Sequence, residues 1–189
     1  VFRNYRLGLA TANGWNFGGT RTYSRLRINT NQTWKNWWNS YVGIFHRPAA
    51  MSDDLTRGGP LMATVSGGGI DAQVFTNEAK NTQVGLFYST SWNELGATSN
   101  SLSMNLRFRP GSRWQFSLRP AWRESNNARQ YIGVYSGGTP ATYDARYVFS
   151  WVKQTTLSMQ LRLNYSFTPG LTLEAYAEPF ASSGDFSEY

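Results

Sequence analysis

An all-β, antiparallel architecture is what this sequence predicts, on three observations. Period-two alternation of apolar and polar residues recurs along the chain, while helical periodicity is almost absent. Asn-rich and Pro-Gly segments punctuate the alternating runs. The 189 residues include 8 Trp, 11 Tyr and 11 Phe, a wealth of aromatics that suits strands and argues against disorder.

The elements follow in order. Residues 1–12 set Tyr5, Leu7 and Leu9 against Asn4, Arg6 and Gly8, and residues 20–29 set Leu26 and Ile28 against Arg25 and Arg27. Residues 34–45 are Trp-rich and ambiguous in face. Residues 61–76 carry Gly67-Gly68-Gly69, then Ile70, Ala72 and Val74 opposite Asp71 and Gln73. Val84, Leu86, Tyr88 and Trp92 oppose Gln83, Gly85, Ser89 and Ser91, with Phe87 out of phase.

The next three runs are the clearest. Leu102, Met104, Leu106 and Phe108 alternate with Ser103, Asn105, Arg107 and Arg109. Trp114, Phe116, Leu118, Pro120 and Trp122 alternate with Gln115, Ser117, Arg119 and Arg123, Arg113 preceding them in the same phase. Leu157, Met159, Leu161, Leu163, Tyr165 and Phe167 alternate with Ser158, Gln160, Arg162, Asn164 and Ser166. Successive strand side chains point to opposite faces, so each run has one apolar and one polar side. Tyr147, Phe149 and Trp151 share the phase of the last run, which favours one long strand over 145–167; an extra strand at 129–136 with a turn near Lys153 is the alternative. Residues 171–181 end the series of about nine segments.

The connections alternate too. Short turns are expected near 29–32, 77–80, 110–111 and 169–170, and long loops at 13–19, 46–60, 93–100 and 124–144. Short turns at one end and long loops at the other make an up-and-down sheet, the order of a transmembrane β-barrel.

Composition narrows the classes. No stretch approaches the ~20 apolar residues of a spanning helix. Zero cysteines exclude a disulfide scaffold, a thiolate metal site and a cysteine nucleophile. The net charge of +7 comes from 15 Arg and 3 Lys against 11 acids, a surplus suited to nucleic acid, an anionic membrane surface or an acidic ligand. Arginines and aromatics occupy opposite faces, however, which argues against nucleic acid. The chain opens on Val1 without an initiator Met or a signal-peptide hydrophobic stretch, and reads as a processed or truncated product.

An alternating strand also fits a soluble sandwich, whose apolar face packs on a second sheet. Three features favour a membrane. The strongest runs reach the ~9–11 residues of a tilted crossing. Aromatics gather at their ends, as interface girdles do. Their polar faces carry Arg beside Ser, Asn and Gln, where a soluble surface favours Lys and Glu. The lipid-facing residues are then Leu102, Met104, Leu106, Phe108, Trp114, Phe116, Leu118, Leu157, Met159, Leu161 and Leu163. The lumen-lining ones are Asn105, Arg107, Arg109, Arg113, Arg119, Arg123, Gln160, Arg162 and Asn164. Bacterial single-chain barrels have even strand numbers, so nine segments imply a missed strand or part of a larger barrel.

The C-terminal third carries a resemblance. Tyr147-Val148-Phe149, Gln154-Thr155-Thr156-Leu157-Ser158, the run from Leu161 to Pro169, Ala175-Tyr176-Ala177-Glu178-Pro179-Phe180 and Ser183-Gly184-Asp185-Phe186-Ser187, with Thr56-Arg57-Gly58-Gly59-Pro60 upstream, resemble an uncharacterised family of large bacterial proteins. In that family an N-terminal carbohydrate-binding-like domain precedes an outer-membrane β-barrel. The resemblance implies the barrel and an outer-membrane address. It carries over no catalytic residue, and the sugar-binding-like domain has no counterpart here.

Little catalytic chemistry is legible. Gly67-Gly68-Gly69 lacks the helix and Lys-Ser/Thr pair of a phosphate loop and reads as a bulge or bend relieving curvature. His46, with Asp53 and Asp54 nearby, could contribute to a rim triad with a Ser, but a lone strand-end His is more often a hydrogen-bonding residue. Two carboxylates fall short of the 6–8 oxygens of a calcium site. Trp34, Trp37 and Trp38 could stack sugars, or form an interfacial girdle beside a turn. Arg107, Arg109, Arg113, Arg119 and Arg123 are expected to form a cationic ladder that draws anions or docks a plug, or a solvated wall paired with Glu174 and Glu178.

The expectation is a bacterial outer-membrane β-barrel with an Arg-lined interior and a pore, transport or structural role. It is not expected to be an enzyme or to hold a cofactor or metal. Partners are lipid and lipopolysaccharide, and an anionic solute, a plug domain or other subunits. Two alternatives stand: a soluble extracellular glycan-binding module built on the three tryptophans, and a structural subunit of a larger surface assembly.

Overall fold

The computed structural model describes residues 1–187. Its strands are β1 (Phe2–Trp15), β2 (Arg21–Trp34), β3 (Asn39–Arg47), β4 (Met51–Ser52), β5 (Met62–Ala63), β6 (Gly67–Phe75), β7 (Thr82–Asn93), β8 (Thr98–Gly111), β9 (Trp114–Ser136), β10 (Ala145–Thr168), β11 (Leu171–Ala177) and β12 (Phe180–Ser187). One 3-10 turn spans Pro140–Thr142. Ten strands form a single antiparallel sheet in chain order, from β1 to β11 with β12 also on β10; β4 and β5 pair apart from it.

β11 and β12 are one strand position. Leu161 faces Ala177 and Ser158 faces Phe180, so a single register runs through both. Between them the Met159 N–H donates to the Pro179 carbonyl at 3.0 Å. Pro179 has no N–H to return, so the ladder lapses there, which an edge strand tolerates. Nine strands therefore lie side by side, and strict antiparallel alternation makes the first and ninth run in the same direction. Neither outer edge has a partner among the described residues, so the expected barrel is not closed by this sheet.

Several boundaries differ from the sequence reading. The turn expected at 29–32 lies at 35–38, because Asn29, Thr30, Asn31 and Gln32 continue β2 as paired wall residues. The turn at 110–111 moves to 112–113. The loop expected at 13–19 shrinks to 16–20, that at 93–100 to 94–97, and that at 124–144 to 137–144. Polar strand residues look like loops by composition. Residues 129–136 belong to β9, and β10 is the single long strand that the phase of Tyr147 suggested. Beyond Asn126, where β8 ends its pairing, β9 and β10 continue as a projecting hairpin. Only the 46–60 loop grows, to 48–66.

The two faces are cleanly sorted. Ile28, Ile44 and Ile70 stand in one row; Tyr88, Leu102, Trp122 and Leu157 in another; Leu106, Leu118 and Leu161, then Phe108, Phe116 and Leu163, in two more. These side chains are exposed or half-buried: Ile44 and Leu157 are each 56% accessible. Phe45, at 7%, is the one buried apolar side chain among the described residues, and it lies on the other, polar face. A soluble domain of this size buries many aliphatic side chains in a core. Arg25, Arg27, Arg107 and Arg109 on the polar face are half-buried, less exposed than Ile28 and Ile44 on the apolar one.

Glycines on the polar face admit aromatic rings. Gly69 faces Phe45 in register and Gly85 faces Phe75. A Cβ on Gly69 would stand 2.5 Å from the Phe45 ring and from the Thr90 carbonyl, and one on Gly85 would stand 2.7 Å from the Phe75 ring. The Gly67-Gly68-Gly69 run is therefore not the expected bulge, since pairing is regular on both sides; it is a place of close approach. Phe87, out of phase in the sequence, meets Phe75 edge-on at 4.9 Å on this face.

Replacing Gly85 by Ala should cost about 1–3 kcal/mol through overpacking against Phe75. In a double-mutant cycle read by denaturant unfolding, Phe75→Ala should recover much of that loss; additive losses would contradict the ring-on-glycine contact.

Candidate functional site: the polar face and its strap

The polar face is concave. Thr22, Tyr23 and Ser24 of β2 and Arg123, Ser125, Asn126 and Asn127 of β9 line the same cavity of about 490 Å3. A flat sheet would hold β2 and β9 about 24 Å apart, five spacings of ~4.8 Å, far wider than such a cavity. Residues 48–66 cross the same opening. The Arg21 guanidinium donates to the Ala49 carbonyl at 3.0 Å on the β2 side, and Arg129 to the Ala63 carbonyl at 2.6 Å on the β9 side. Arg57 lies 4.7 Å over the Tyr131 ring, and Gly59 abuts Tyr147. The segment is a strap across the mouth, pinned at both walls, with β4 and β5 pairing within it.

The predicted interior residues occupy this face, with one exception. Arg107 faces Ser117 and donates to Gln83 Oε1 at 3.3 Å; Arg119 faces Gln160 and donates to Asn105 at 3.4 Å. Arg123 faces Ser101 on one side and Thr156 on the other. Arg162 lies over the Tyr176 ring at 4.8 Å, Gln160 donates to Glu178 at 2.9 Å, and Asn164 faces Gln115 and Glu174. Arg113 sits in the 112–113 turn, at the rim and not on the wall.

The expected ladder is thus a stagger: Arg107, Arg119, Arg123 and Arg162 face Ser, Thr, Gln or an aromatic, an arrangement that avoids opposed like charges. Two ion pairs occur among the described residues, Arg27–Asp71 at 2.6 Å and Lys153–Glu124 at 3.7 Å. The predicted arginines are in neither, and the Arg109 Nε is buried without a hydrogen-bond partner. The pairing with Glu174 and Glu178 that would neutralise the wall is not formed.

Sequence reasoning missed the strongest polar cluster. Arg27 on β2 reaches over Gly43 on β3 to Asp71 on β6, and its Nε donates to the Tyr41 hydroxyl at 2.9 Å. A Cβ on Gly43 would stand 2.7 Å from the Arg27 Nη2. Phase puts all three polar residues on one face, but only register shows the glycine between them.

The other candidates are dispersed. Trp34 donates its indole N–H to Ser40 at 2.8 Å and packs edge-on to Phe2 at 4.7 Å. Trp37, in the turn with φ of 66°, lies under Arg3 at 3.6 Å. Trp37 and Trp38 are exposed at this turn, and no aromatic pair joins the three tryptophans among the described residues. His46 shares the outer face with Leu26, and Asp54 accepts from Ser52 at 2.7 Å within the strap. Trp114, Tyr165 and Phe167 stack at the turn end of β9 and β10, at 4.1 and 4.6 Å. No family model, curated protein or solved structure matches the chain.

The Arg27–Asp71 pair, about a quarter and a third exposed, should couple by about 1 kcal/mol in a cycle of Arg27→Gln and Asp71→Asn. A coupling of zero would mean the two strands are not held together by this bridge.

Proposed function

We propose that this sheet is the wall of a bacterial outer-membrane β-barrel, its apolar face against lipid and its arginine-bearing face against an aqueous interior. The observation that carries the reading is the sidedness of the sheet: rows of Ile, Leu, Met and Phe stand uncovered on one face, with Arg27, Asp71, Arg107, Arg119 and Arg162 on the other, concave face. Lipid covers an apolar face without a second protein layer, and a wet lumen accommodates arginine.

Dimensions agree. Eight residues separate Trp114 from Trp122 on β9, roughly 26 Å along the strand and some 20 Å along the normal of a tilted wall. Aromatics bracket that band: Phe108, Trp114, Tyr165 and Phe167 at the turn end, Trp92 and Trp122 at the other.

An open edge cannot face hydrocarbon, because its N–H and C=O groups have no water there. Nine strands with parallel outer members close antiparallel only with an odd number of further strands. These come from another segment or from other subunits, which keeps the assembly reading alongside the barrel. The role is passive: a pore or transport wall, or a structural one, with no enzymatic step. Lipid and lipopolysaccharide are its outer partners, and an anionic solute or a plug its inner ones.

Fractionation tests the address: the protein should resist carbonate washing and need detergent for release. Leu161→Arg should cost about 2–4 kcal/mol in bilayers, the cost of a lipid-facing charge at mid-depth, while Ser158→Arg, facing inward, should change stability little. Release by carbonate, or a neutral Leu161→Arg, would instead make the sheet a soluble or protein-covered one.

A further inference from the structure

The strap roofs a cavity on the concave face whose lining is one-sided in charge. Its volume is about 490 Å3, within the range of small-molecule sites. Arg47 and Arg123 are the charged side chains lining it, and no Asp or Glu does. Neither arginine has an ion-pair partner among the described residues. Arg47 lies 4.8 Å over the Phe45 ring, and Arg25 lies 4.1 Å over the same ring with its Nε buried and unpartnered. Ring faces attract cations, but one ring shared by two guanidiniums leaves positive charge unmatched.

The rest of the lining supplies neutral hydrogen-bonding groups: Ser91 on β7, Ser99 on β8, and Ser125 and Asn127 on β9. Gly67 and Gly68 form part of the floor; a Cβ on Gly67 would stand 2.5 Å from the Trp92 carbonyl, so side chains are kept out of that corner. Residues Pro48, Ala50, Thr64 and Val65 of the strap close the top.

We infer that this cavity binds a small hydroxylated anion, of the size and chemistry of a phosphorylated or carboxylated monosaccharide. Arg47 and Arg123 hold the anionic group, and the Ser and Asn side chains take the hydroxyls. Guanidinium contacts with phosphate or carboxylate are charge-assisted and strong, and the hydroxyl-rich remainder of the wall would be wasted on a bare ion. The cavity opens on the polar side of the sheet, away from the apolar face, so the occupant is a free solute and not a lipid headgroup. This rests on the polar face lining an aqueous interior, the reading proposed above.

Calorimetric titration of the detergent-folded protein with glucose 6-phosphate, glucuronate, glucose and inorganic phosphate tests the site. Both sugar anions should bind, with glucose and inorganic phosphate each weaker by about ten-fold or more. Arg47→Gln and Arg123→Gln should each weaken sugar-anion binding about ten-fold, while Lys80→Gln, which removes a charge from a distant turn, should not. Ser99→Trp, which fills the cavity and leaves both arginines, should abolish binding and covers the case of an arginine variant that does not fold. No binding by the wild type, equal binding of inorganic phosphate, or unchanged binding in the folded arginine variants overturns the site. The titration needs no bilayer. Failed membrane insertion with binding intact would therefore overturn the wall reading, and failed binding with insertion intact would overturn this site alone.

Discussion

Ile28, Ile44, Leu118 and Leu161 stand on a side of the sheet that no other described residues cover, and the remaining features are arranged around that constraint. Soluble monomers rarely leave a continuous apolar surface of more than a few hundred Å2 to water. Against hydrocarbon it is stabilising, at roughly 25 cal/mol for each Å2 removed from water. Hydrocarbon also forbids unpaired backbone, so the proposed membrane setting requires partners for both outer edges.

The polar face answers a different problem, which is to fill the inside of a curved wall without a hydrophobic core. Glycines at 43, 69 and 85 make room on the wall, and Arg27, Phe45 and Phe75 lie in that room. Arg27 forms a cross-strand bridge to Asp71; Arg107, Arg119 and Arg123 on β8 and β9 are staggered against neutral residues and are in no ion pair among the described residues. The strap adds a second layer at one end, where Arg21 and Arg129 hold its backbone from opposite walls. Curvature, charge and strap together turn a sheet into a vestibule.

The strand faces were legible in the sequence because period-two phase survives wherever Leu, Met or aromatic residues alternate with Ser, Asn or Arg, as in Leu157 to Phe167. The long β10 was legible for the same reason, through Tyr147 and Phe149. Turn positions were less so: Asn29 to Gln32 has turn composition yet is paired on both sides within β2, with Asn29 and Asn31 on the polar face, where polar strand residues look like loop. Register was not legible at all. The Arg27–Asp71 bridge depends on which residue of β3 lies between them, and the stagger of Arg107 and Arg119 depends on pairing 107 with 117. The strap looked like an ordinary long loop, since nothing local in Pro48 to Ser66 states that it crosses to β9. Nor is closure legible, and the described sheet is open, its nine strands ending in edges that run in the same direction.

The protein contains no cysteine, so single cysteines can be placed in turn at positions 157 to 163 of β10 and labelled with an environment-sensitive fluorophore. In bilayers, labels at 157, 159, 161 and 163 should be quenched by brominated lipid, and those at 158, 160 and 162 by aqueous iodide. Odd-numbered labels that iodide reaches, or that neither quencher reaches, would mean that water or protein covers this face and would contradict the account.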